Sequence, residues 1–197
     1  MNFNFSEREL REIGISVVVL SIVFSDFTIT SIMYSFIAVG FAFVLHEMGH
    51  RFVARRYGFH AEYRMWVNGL MFALFLAVIS GGSFVFAAPG AVFISGIIPG
   101  DRYGKIALAG PMVNVILAVI FLGILFVAGI FTIMGFGIDL LLVICLQSII
   151  VNLFLAAFNM LPFPPLDGAS VMAWNRWVWA IVEIPLILVM LFLMFLF

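Results

Sequence analysis

Charged residues fall in a few short stretches, and long apolar runs separate them. Met1–Glu12 is mixed in charge and contains Ser6-Glu7-Arg8-Glu9, a capping-box pattern that predicts a helix start. Apolar runs then predict spans over about 10–25, 29–53, 106–134, 138–160 and 171–197. Turns are expected at Ser25–Thr28 and Gly135–Gly137. Asp101–Lys105 reads as a polar loop, Tyr57–Arg64 as interfacial, and Pro185 as a kink in the last span.

The stretch over about 58–100 fits a simple span poorly. Leu70–Ile79 covers only about half a crossing at roughly 1.5 Å per residue. Gly81-Gly82 breaks it, and Phe84–Ile97 is β-rich with Pro89-Gly90 in its middle. A membrane-dipping β-hairpin or re-entrant element is expected here, and two short helices are the alternative. The fold class is therefore an all-α polytopic membrane protein of five to six transmembrane helices with this element after the second span. It forms one membrane-embedded domain over 1–197.

Composition agrees. Hydrophobic residues make up 65% and charged residues 10%, against about 25% charged in soluble domains. The lipid bilayer is thus a partner. A net charge of −1 argues against nucleic acid. The single cysteine, Cys145, lies in an apolar run and reads as a small buried hydrophobe. The first apolar segment lacks a small-residue cleavage site and is not read as a removable signal. All nine Lys and Arg can lie on one side if the turns near Asp26 and Gly135 face the other. The positive-inside rule makes the basic side cytoplasmic, and the compact core would suit a bacterial or archaeal cell membrane.

Chemistry concentrates where Phe41–Leu45 runs into His46-Glu47-Met48-Gly49-His50. On a helix, His46 and His50 share one face, so two imidazoles can meet one Zn²⁺, with Glu47 beside them as general base. The bland reading is a histidine pair with a capping or paired Glu. Ionisable groups inside an apolar run cost roughly 2.5–3.5 kcal/mol each at the centre, and a metal or proton path offsets that cost. A catalytic zinc usually has three protein ligands. His60 reads as a solvated loop histidine. Asp139 and Glu183 are expected at the far side or facing the bundle interior. Asp167 returns to the side of the histidines after an unwound Leu161–Leu166, so it is the candidate third ligand; an N-cap role for it can coexist. Trp174, Trp177 and Trp179 suit an interfacial belt.

Three separated motifs resemble the site-2 protease family of intramembrane metalloproteases. They are His46-Glu47-Met48-Gly49-His50, Ala109-Gly110-Pro111-Met112-Val113-Asn114, and Asn159 through Pro162, Pro164 and Leu166 to Asp167-Gly168. The resemblance spans roughly residues 30–175. It implies zinc held by His46, His50 and Asp167, Glu47 as general base, and Asn159, with Asn114, positioning the substrate backbone. It also implies transmembrane segments of membrane proteins as substrates, unwound and added as a strand to the β element. No PDZ insertion and no CBS pair is found, so a minimal member or a shortened chain is expected. A divalent-metal transporter is the competing class, but it requires ligands through the whole membrane depth. A non-catalytic subunit with a structural zinc would require a closed four-ligand site.

Overall fold

The computed structural model describes residues 5–196. Helix α1 (Glu7–Val23) starts at Ser6, whose hydroxyl accepts from Glu9 N, half of the expected capping box. The turn at 24–28 leads into α2 (Ile29–Arg56), capped by Thr28. Asp26 holds that turn by accepting from both the backbone and hydroxyl of Thr28. Strand β1 (His60–Met65), helix α3 (Val67–Ile79) and strand β2 (Gly90–Ser95) follow. The two strands pair antiparallel, from His60 opposite Ser95 to Met65 opposite Gly90. Then come α4 (Gly100–Ile133), α5 (Asp139–Met160), α6 (Asp167–Trp174) and α7 (Arg176–Leu196).

Four of these helices are long and apolar enough to cross a membrane: α2, α4, α5 and α7. Among the described residues, α1 and α3 are shorter. At 17 residues α1 reaches about 25 Å, short of a hydrocarbon core of about 30 Å.

The stretch expected to be irregular resolves into strand, helix and strand. In the polar segment after α2, His60–Met65 is a strand. Its outer edge is held by α1: Tyr63 N donates to Glu9 and Met65 N to Glu12. Helix α3 runs beside α1, with Ala73 and Ala77 buried against Val23. Its terminal turn brings Gly82 beside the Ser25 carbonyl, and the chain then returns to β2. Gly81 and Gly82 take positive φ there, which a side chain would strain.

Two further expectations need correction. Asp101–Lys105 is the start of α4 and not a loop. Asp101 suits the positive end of that helix, and Lys105 pairs with it one turn on. The last span does not run unbroken from 171. It divides at Asn175, whose side-chain oxygen accepts from Trp177 N and Val178 N and so starts α7 afresh.

The core has two principal halves. One joins α1, α2 and α5 to Tyr63 and Leu70. The other joins α4, α5, α6 and α7 around Met160 and Val171. Trp174 and Trp179 belong to this second half, and Trp179 Nε1 donates to the Met160 carbonyl. Only Trp177 of the three tryptophans is largely exposed, at 70%.

Candidate metal centre

The His-Glu-x-x-His segment lies wholly inside α2, near its C-terminal end, with His46, Glu47 and His50 all buried. Two glycines let α2 and α4 approach there. A side chain at Gly49 would meet the Ala109 carbonyl and Val113 at 2.9 Å. A side chain at Gly110 would fall against the Nε2 atoms of both His46 and His50. That is the space between the two ring nitrogens, and Gly110 keeps it clear.

Asp167 enters from the other half of the molecule. The segment from Leu161 to Leu166 leaves α5 without forming a helix, and α6 begins at Asp167. Gly168 permits this, since a side chain there would collide with the Met160 carbonyl. Leu166, not Asp167, is the N-cap, so the Asp167 carboxylate is free of that task. It lies 3.3 Å from His46 Nε2 and 3.1 Å from His50 Nε2, and the two Nε2 atoms are 3.0 Å apart.

Hydrogen bonds behind the rings show which face each turns to a metal. His50 Nδ1 lies 2.8 Å from the Ile106 carbonyl, which can only accept. The proton therefore sits on Nδ1 and the Nε2 lone pair faces Asp167. His46 Nδ1 meets Asn114 Oδ1. Asn114 in turn donates from Nδ2 to the Ala42 carbonyl and to Asn152 Oδ1, each at 2.9 Å.

These atoms fit a zinc ion. Three electron-pair donors converge, and their potential ligand atoms all lie within 4.8 Å of one another. Tetrahedral zinc with ligands at about 2.0–2.2 Å requires ligand separations of about 3.3 Å, close to those present. Three electron pairs aimed at one point repel unless a positive charge, a metal ion or a proton, lies among them. Glu47 Oε2 is buried with no hydrogen-bond partner among the described residues, as suits a group that waits for a proton-bearing reactant.

A cavity of about 90 Å³ adjoins the cluster. His46, Glu47, His50 and Asp167 line it, with Gly90–Val92 of β2, Tyr103 and Asn159. It shares β2, Tyr103, Asn159 and Pro165 with a wider groove of about 600 Å³ that extends to Arg64 and Trp66. The structure thus brings Asn159 to the cavity with the expected ligands. Asn114 is placed elsewhere: it is fully buried behind His46. His60 is exposed on β1, Asp139 is exposed at the start of α5, and Glu183 is fully buried in α7. Tyr103 and Asn152 were not anticipated. A signal existed for Asn152, since an amide in an apolar span needs a partner.

Apolar membrane-length helices around a buried His-Glu-x-x-His and a distant aspartate define a membrane zinc metalloprotease. A protein of Methanocaldococcus jannaschii named as a candidate zinc metalloprotease is 44% identical over 198 residues, covering 98% of each chain. A second protein of that organism, named a zinc metalloprotease, is 31% identical over 137 residues. That match covers 70% of this chain and 32% of the relative. No protein-family model and no solved structure matches. The chain belongs to the zinc metalloprotease family of these relatives, and zinc is its metal.

Proposed function

We propose that this protein is a site-2-type intramembrane endopeptidase that hydrolyses peptide bonds within or near the transmembrane helices of membrane proteins. The observation that carries the reading is the cavity. It joins the ligand cluster and Glu47 to a strand edge and an amide, all against membrane-length helices. The placement of the basic residues supports a cytoplasmic-side location, and the compact core suits a bacterial or archaeal cell membrane.

A helical substrate has its carbonyls already hydrogen-bonded, so it must unwind before cleavage. A strand edge compensates the lost backbone bonds. The outer edge of β1 is occupied by Glu9 and Glu12, which leaves β2 to receive the unwound segment along the groove. Asn159 spends one proton of Nδ2 on the Leu155 carbonyl, and the rest of its amide serves the substrate backbone. Asn114 orients His46 instead of touching substrate.

His46, His50 and Asp167 would hold the zinc, which supplies Lewis acidity and a nucleophile at neutral pH. Glu47 takes the proton of the attacking water on Oε2 and returns it to the departing amine. The excursion of α3 toward the α1–α2 turn serves as the re-entrant element beneath the substrate strand.

Metal transport is not favoured, because the described residues offer one ligand group and no series across the membrane. The decisive experiment is cleavage of a single-span substrate with a helix-weakening Gly or Asn near its middle. Purified protein should cut it with zinc and not with a chelator. Glu47→Gln should keep about one zinc per chain and lose about 10²–10⁴-fold in rate. Wild-type cleavage by Glu47→Gln would refute the mechanism. Zinc binding without cleavage of any such substrate would refute intramembrane proteolysis.

A further inference from the structure

The hydrogen bonds behind His46 continue one residue beyond the metal site and across a third helix. His46 is on α2, Asn114 on α4 and Asn152 on α5, and both asparagines are fully buried. Asn152 Nδ2 donates to the Ser148 carbonyl at 2.8 Å. A carbonyl oxygen cannot donate, so this contact fixes Asn152 with its amide nitrogen toward Ser148 and Oδ1 toward Asn114. Asn114 Nδ2 then faces two acceptors, Ala42 O and Asn152 Oδ1, and spends both its protons there. Only Oδ1 remains for His46, so His46 Nδ1 must be the donor.

We propose that Asn152 is a positioning residue for the metal site: it holds the Asn114 amide in the one orientation that keeps the His46 proton on Nδ1 and its Nε2 free to bind zinc. If Asn114 were reversed, Oδ1 would face two acceptors, and its amide nitrogen would donate to His46. The His46 proton would then move to Nε2, where it blocks the metal. Asn152 supplies one of the two acceptors that oppose this reversal and Ala42 O the other. The effect is transmitted through Asn114, since Asn152 is not among the residues lining the cavity. The proposal rests on His46 as a zinc ligand but not on the choice of substrate.

The test reads the proton directly. The chain has three histidines, so ¹⁵N-histidine spectra of the metal-free protein in micelles resolve each ring. The wild-type His46 should carry its proton on Nδ1. Asn152→Leu removes the acceptor at similar volume; it should populate the Nε2–H form and bind zinc about tenfold more weakly, the lower end for groups that orient a ligand. Asn152→Ala reports the same loss if leucine is not accommodated. Asn152→Asp should behave as wild type in both readouts, because a neutral carboxyl can donate to Ser148 O and accept from Asn114. Ser148→Ala should also match wild type, since the Ser148 hydroxyl has no hydrogen-bond partner among the described residues. A wild-type His46 protonated on Nε2 would overturn the proposal. So would Asn152→Leu or Asn152→Ala with unchanged tautomer and affinity, or Asn152→Asp as weak as either. These readouts need no substrate, so they separate from any failure of the protease reading.

Discussion

Single residues at this site are governed by the space and electron pairs around the ring nitrogens. Gly110 shows how little tolerance exists: one methyl group would enter the space between His46 Nε2 and His50 Nε2. Gly110→Ala is therefore expected to lose zinc, with metal content below about a tenth of wild type while the helices still insert; metal analysis of the purified variant checks this. Asp167→Asn keeps the shape but removes the charge that offsets the cation, and should weaken zinc by about 10–100-fold on competitive chelator titration. His46, Glu47 and His50 were legible in the sequence because the helix repeat alone places them together. Asp167 was legible because the prolines before it exclude a regular helix. Asn114 was not legible as a group behind the metal. Its partner is fixed by how α2 and α4 cross, and no local spacing encodes that crossing.

Whole elements are tied together by carboxylates from the first helix. Glu9 accepts from Tyr63 N and pairs with Arg51, the residue after His50, and both side chains are buried. Glu9→Met strips Arg51 of that carboxylate and should lower the melting temperature, whereas Glu9→Met with Arg51→Met should recover part of the loss. Thermal unfolding in detergent distinguishes the two. In the turn between α1 and α2, hydrogen bonds from the Thr28 hydroxyl and backbone hold the Asp26 carboxyl below its ordinary 3.8. A depressed folded-state value means stability that is present above 3.8 and lost as pH falls through the lower folded value. Asp26→Asn should therefore lower the melting temperature slightly at pH 7, and the gap should close below pH 3.8. Strand β1 lies within the stretch expected to hold a β or re-entrant element, but its bounds were not legible; the carboxylates that dock it come from α1, far away in the chain. The break at Asn175 did carry a local signal, an asparagine before a helical run, but the apolar residues around it masked the cap.

Across the whole molecule, the proposed orientation rests on the basic residues and predicts a labelling pattern. Cysteines placed at Phe136 or Phe27, in a chain with Cys145→Ser, should react with an impermeant thiol reagent from outside the cell. One at His60 should react only after permeabilisation. Reversed labelling would place the metal centre on the other face. The membrane class was readable from composition, because lipid demands apolar helices, but five to six spans were expected and four described helices are long and apolar enough to cross. The way the second half of the bundle meets the first was not, since packing between apolar helices leaves a weak sequence trace. That meeting has a consequence for biosynthesis. His46 and His50 emerge from the ribosome early, whereas Asp167 arrives only after α4 and α5 have been made. A nascent chain therefore carries two of the three ligands, and a chain ended at Met160 is expected to retain little zinc after dialysis. On the proposed function, the chain should be unable to cut membrane neighbours while its own helices are being threaded into the bilayer, and should gain that ability only once it is nearly complete.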